Sequence, residues 1–142
     1  MSGANDSPAV AGGPRALLRA EGLVTWGAAT FAFSLTGAPW WVYAALFFVP
    51  DVSFLFVPDV SFLAYLAGAR AGAIAYNALH SHIGPAVLAA AGFALGMEEV
   101  LAVAAIWVAH IGFDRALGYG LKYASGFGDT HLGPVGRKAV AS

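Results

Sequence analysis

The side chains able to hold a cation or move a proton are few and far apart in this chain. Imidazole comes from His80, His82, His110 and His131, carboxylate from Asp51, Asp59, Asp114 and Asp129, and Asn77 stands three residues before His80. His110 and Asp114 are four residues apart, which on a helix puts them on one face and within reach of each other. An imidazole and a carboxylate so placed are a workable ligand pair for zinc or another divalent ion. Asp59 and His80 would complete the set, giving Asp59, His80, His110 and Asp114 as candidate metal ligands. No spacing reproduces the H-E-x-x-H helix of a metalloprotease. The chain has no cysteine, so thiolate ligands, disulfides and a cysteine nucleophile are excluded together.

The elements that must bring these groups together follow from the solvent the chain is built for. Of its 142 residues, 59% are hydrophobic and 11% charged, against about 25% charged in an ordinary soluble domain. Such a chain cannot cover a water-facing surface, and four apolar runs predict an all-α integral membrane bundle of four transmembrane helices. Residues 1–14 are small, polar and rich in Gly and Pro, and are expected to form a disordered tail. The first span runs from Gly22 to Ala38, with Thr and Ser that can bond back to their own helix carbonyls. Gly37-Ala38-Pro39 turns the chain, and Trp40, Trp41 and Tyr43 then sit where an interfacial aromatic belt belongs. The third span, Ala71 to Met97, contains no Asp, Glu, Lys or Arg and carries Pro85 inside it, where Ser81 can satisfy the carbonyl that the proline frees. The fourth runs from Val100 to about Leu117. The transmembrane domain thus occupies residues 15–123, and 124–142 form a polar cytoplasmic tail.

The second span carries an exact repeat: FVPDVSFL at Phe48 to Leu55 recurs at Phe56 to Leu63. Pro39 to Gly68 is 30 residues, roughly 45 Å of helix, too long for a hydrocarbon core of about 30 Å. Without one copy the span has 22 residues, about 33 Å, so the pattern reads as an eight-residue tandem duplication that lengthens or breaks the second helix. Pro50 and Pro58 favour a kink.

Orientation follows from the basic residues. Arg15, Arg19, Arg70, Arg115, Lys122, Arg137 and Lys138 all fall on one side of a four-span arrangement, whereas Glu98 and Glu99 occupy the other. The positive-inside rule then places both termini in the cytoplasm. A cleaved secretory signal ending near Thr36-Gly37-Ala38 fits less well, because Glu21 precedes the apolar run and the aromatic belt directly follows the cut. A soluble all-buried helical core would need an uncharged run longer than soluble helices show. Nucleic acid is excluded as a partner, since seven Lys and Arg are balanced by eight acids without a basic stripe. The partner implied is the lipid bilayer, and self-association is left open.

Counting about 1.5 Å per residue from the cytoplasmic ends puts Asp59 and His80 at roughly the same depth, about 14 and 15 Å, and His110 at about 10 Å. Asn77 lies one turn below His80, Asp114 one turn below His110, and Asp51 near the outer surface. Asp59 rather than Asp51 is therefore the carboxylate expected in the cluster. The set Asp59, Asn77, His80, His110, Asp114 and Arg115, with Asp129 and His131 closing from the tail, would converge from three helices. The first reading of such a cluster is hydrogen-bonding glue between helices, with Asp114 paired to Arg115 or Lys122. A site for an ion or small solute comes second and a catalytic metal site third, so no cofactor is assigned beyond a possible divalent metal. Gly68-x-x-x-Gly72 and Gly92-x-x-x-Gly96 suggest close packing within the monomer rather than a dimer seam.

With these residues in view, the chain resembles a family of small bacterial integral membrane proteins known as a domain of unknown function. The resemblance rests on PDVSFLAYLAG at Pro58 to Gly68, GAIAYNALH at Gly72 to His80, AHIGFDRALGYGLKY at Ala109 to Tyr123 and DTHLG at Asp129 to Gly133. It implies a four-helix fold in the bacterial inner membrane, with no activity, cofactor or partner to carry over. Taken together, the sequence points to a multi-pass membrane protein, non-enzymatic in the first reading, that binds or transports an ion or small solute. A membrane-embedded metal-dependent hydrolase and a structural or lipid-packing protein are the alternatives.

Overall fold

The computed structural model describes residues 8–49, 64–126 and 128–135, and within them the chain is all-helical apart from one isolated antiparallel bridge, Lys122 to Thr130. In chain order the helices are α1 (Gly12–Ser34), α2 (Trp40–Phe47), α3 (Ala69–His80), α4 (Ile83–Leu95) and α5 (Glu98–Leu117). Most of the repeated segment, including Asp51 and Asp59, lies outside the described residues, as does the kink expected at its prolines.

The centre of the fold is α5. Its buried residues include Ala102, Ala104, Ile106, Ala109, His110 and Asp114, which are not confined to one helix face. The helix α1 lies along it as its most extensive partner, and α4 and α2 also pack against it. The α1 crossing is set by glycine: a Cβ on Gly22 would sit 2.5 Å from the Arg115 Cβ and 2.8 Å from the Gly112 carbonyl oxygen. On the α4 side Gly92 meets Val100, while α2 contributes an aromatic cluster in which Tyr43 stacks on Phe47 and Phe47 meets Phe113 edge-on. Thr30 bonds back to the Trp26 carbonyl and also meets the Tyr43 hydroxyl at 2.7 Å, tying α1 to α2.

The run expected as one third span is two helices. Ser81 is extended at ψ 154° between α3 and α4, and Pro85 becomes the third residue of α4. At that position a missing N–H costs nothing, whereas in an unbroken helix the ring would strike the carbonyl four residues back. Side chains of α5 take up the carbonyls released by the break: Trp107 Nε1 donates to Leu79 O at 2.8 Å and Arg115 Nη2 to His80 O at 2.9 Å. The helix α4 ends in a left-handed Gly96, with the Met97 amide donating to the Gly92 carbonyl, and α5 ends the same way at Gly118.

Two stretches, Ala69–Leu95 across that break and Glu98–Leu117, are long and apolar enough to cross a membrane. Large apolar side chains point outward along α1, α3 and α4, among them Val24, Phe31, Ile74, Ile83, Val87 and Phe93.

Candidate metal centre

The end of α3 and the last two turns of α5 meet in a cluster of three buried ligand-type side chains. One ligand atom each from His80, His110 and Asp114 lies within 4.8 Å of the others. His110 and Asp114 come from adjacent turns of α5, with Nε2 3.3 Å from Asp114 Oδ2, and His80 brings its own Nε2 to 3.7 Å from the same oxygen. The two imidazoles are each only 1% exposed and Asp114 7%.

The orientation of His80 is fixed from behind. Its Nδ1 is 2.9 Å from the Tyr76 carbonyl oxygen. A carbonyl only accepts, so Nδ1 carries a proton, and in the neutral ring the lone pair belongs to Nε2, the atom turned toward Asp114. Holding one ring nitrogen on a backbone carbonyl while presenting the other is how proteins prepare a metal-ligating histidine. The Tyr76 ring stacks on His80 with centroids 3.9 Å apart, and the Phe47 ring meets His110 edge-on, so the wall around the nitrogens is aromatic.

The two separations to Asp114 approach those around a small divalent ion. The three ligand atoms as a set span up to 4.8 Å, so the imidazoles would have to draw together to hold one. Ligands about 2.0 to 2.1 Å from a tetrahedral zinc are about 3.3 Å from each other. The observed 3.3 and 3.7 Å are of that size.

The other residues expected in the cluster have different work. Asn77 clamps the segment after α5: its Nδ2 donates to Lys122 O at 2.9 Å, and its Oδ1 accepts from the Lys122 amide at 2.7 Å. Arg115 donates to Tyr119 O and His80 O. Asp129 and His131 fold into a hairpin, in which the Tyr123 amide donates to Asp129 O and the Leu121 amide donates to His131 Nδ1 at 2.9 Å. Burial, followed by the nearby Arg115 charge, lowers the pKa of the His131 imidazole. Lys122, lowered to about 8 by burial, places its Nζ 4.5 Å from the centre of the Tyr76 ring. Residues 8–11, part of the expected N-terminal tail, are attached here as well: Val10 N donates to His131 O and Tyr123 Oη to Pro8 O. Asp59 lies outside the described residues.

Sequence reasoning missed Tyr76 and Trp107, and it gave Lys122 a different role, as a partner of Asp114. Tyr76 was findable, because it precedes His80 by four residues and the i−4 carbonyl is within reach of a helical imidazole. The other two act across long sequence separations with no pattern to announce them.

The Asn77 clamp leads to a testable consequence. Asn77→Ala removes two hydrogen bonds worth about 1 kcal/mol each. It is expected to lower stability by about 2 kcal/mol and to make the hairpin the first place trypsin cuts, at Lys122. Limited proteolysis with mass analysis reads this, and an unchanged cleavage order would contradict the clamp.

No curated protein and no solved structure matches the chain. The family described as a domain of unknown function, DUF4260, matches it over residues 15–56 and 52–135, nearly the whole length that carries the helices and the hairpin. The chain therefore belongs to the DUF4260 family.

Proposed function

We propose that this is a multi-pass inner-membrane protein that binds a divalent transition metal ion between α3 and α5. The observation that carries the metal reading is the convergence of His80, His110 and Asp114, all buried, with ligand atoms within 4.8 Å. Two imidazoles and one carboxylate form a ligand set used for zinc and for ferrous iron.

The bilayer reading is supported by the two apolar stretches and by the outward-facing side chains of α1, α3 and α4. A surface so apolar costs about 25 cal/mol per Å² in water and nothing comparable in lipid. In this reading α1 is the first span, α2 begins the second, α3 and α4 together form the third and α5 the fourth. The basic residues then lie on the cytoplasmic side with both termini. The repeat FVPDVSFL is read as a tandem duplication, which accords with the family matching the chain in two stretches that overlap at 52–56.

A second reading has one observation in its favour. Three protein ligands leave a coordination position open, as in catalytic rather than structural zinc sites, so hydrolysis by a metal-activated water is the enzymatic form of the same site. In that form His80, His110 and Asp114 would hold the ion, and Tyr76 O would keep the His80 lone pair turned toward it.

Elemental analysis of detergent-purified protein tests the proposal. One equivalent of zinc, iron or manganese per chain is expected, with the protein remaining in the membrane pellet after an alkaline wash. Protein that is free of metal after addition of each of the three ions overturns the metal reading. Recovery from the soluble fraction without detergent overturns the bilayer reading.

A further inference from the structure

On a face of α5 other than that of His110 and Asp114, two cavities share His82 in their walls. The first, of about 530 Å³, runs between α1 and α4 and is lined mainly by small apolar groups, among them Ala29, Ala32, Pro85, Ala86 and Ala105. The second, of about 170 Å³, lies beyond His82 toward the end of α5 and is lined by Glu21, Thr25, Arg115 and His131 among others. Joined past His82, the two would make one slot with an apolar length and a polar end. The polar end carries one guanidinium and one carboxylate, and Gly22, which packs against Arg115, places it where the apolar run of α1 begins. From Arg115 to Leu101, another lining residue, is about 21 Å along α5, more than the roughly 15 Å of one leaflet.

We propose that this slot holds a phospholipid with a primary-amine headgroup, of the phosphatidylethanolamine type: phosphate on Arg115, ammonium on Glu21 and one acyl chain along the alanine-lined groove. The paired charges decide the headgroup. Arg115 has N–H donors beyond those given to Tyr119 O and His80 O, and a guanidinium suits a phosphate oxygen. Glu21 would repel the phosphate of a purely anionic lipid but matches an ammonium a few ångströms away. His82 and His131 add imidazole nitrogen to the phosphate side, and Glu98 stands at the far end of the groove, away from the headgroup. The inference rests on the bilayer reading and is independent of the metal.

The test is thermal melting of delipidated protein in detergent, titrated separately with phosphatidylethanolamine, phosphatidylglycerol and phosphatidylcholine. Phosphatidylethanolamine is expected to raise the melting temperature most. Glu21→Gln should bring phosphatidylglycerol level with it, and Ala86→Phe, which fills the groove from an exposed position on α4, should reduce the shift by at least half. Ala32→Phe fills it from the α1 wall and serves if the first variant folds poorly. Equal shifts with all three lipids, or a full phosphatidylethanolamine shift in both groove variants, overturns the proposal. Those outcomes leave the protein in the membrane pellet, so they are distinct from failure of the bilayer reading itself.

Discussion

Asp114→Asn is expected to cost the protein its metal ion while leaving its helices in place. The carboxylate oxygen Oδ2 is the atom that both imidazoles face, at 3.3 Å for His110 and 3.7 Å for His80. Asparagine has the same size, so no cavity opens, but it carries no charge and is a poor ligand for a divalent ion. Mutating an outer-shell partner lowers metal affinity by about 10 to 100-fold, and loss of a direct ligand should exceed that. Competition against a chelator in detergent, with circular dichroism as the control for folding, reads the effect. Glu99→Gln, at the opposite end of α5, should leave affinity unchanged. If the Asp114 variant keeps wild-type affinity, the three side chains are a hydrogen-bonded network and nothing more.

The largest loss of stability is expected from Gly112→Leu. Its Cβ would lie 2.6 Å from the Trp26 amide nitrogen and 2.8 Å from the Gly22 carbonyl oxygen, and the reciprocal clash at Gly22 reaches 2.7 Å from the Ala116 nitrogen. These are backbone atoms, so no change of rotamer relieves the contact, and α1 and α5 must move apart along the most extensive helix contact in the fold. Overpacking of this kind costs about 3 kcal/mol or more. Gly27→Ala on α1 is the matched control: nothing lies within 4 Å of its Cβ position. It should be neutral or stabilise by up to about 1 kcal/mol through helix propensity. Melting curves that place the two variants together would contradict the glycine crossing.

These two experiments fall on opposite sides of what could be read from the chain. The His110–Asp114 pair was legible because four residues on one helix is a local rule, and His80 joined it through a depth count that needs only the rise of a helix. The glycine crossing was not legible. Gly22 is one of 18 glycines, and only the approach of α5 distinguishes it from Gly27. The two GxxxG spacings show the same limit. Gly72 and Gly92 are close-packing positions, against Tyr65 and Val100, but Gly68 and Gly96 are positive-φ glycines, at 123° and 64°, that start α3 and end α4. Spacing alone cannot separate those roles. The break at Ser81 was hidden for another reason: a proline in an apolar run is compatible with a kinked span or with two helices. The choice between them is made by Trp107 and Arg115, which are far away in sequence and take up the freed carbonyls.

The clamp at Asn77 has a wider meaning. Its side chain gives and receives one bond each with the main chain of Lys122, the residue that also bridges to Thr130. A carboxamide used in this way imitates a peptide unit, so a helix edge plays the part of a neighbouring strand for a hairpin too short to supply its own. Position 77 is thereby restricted to a group that is donor and acceptor at once. The sequence has no glutamine and, besides Asn5, no other asparagine, so Asn77 is the single such adaptor between the helices and the patch of β-type pairing seen among the described residues.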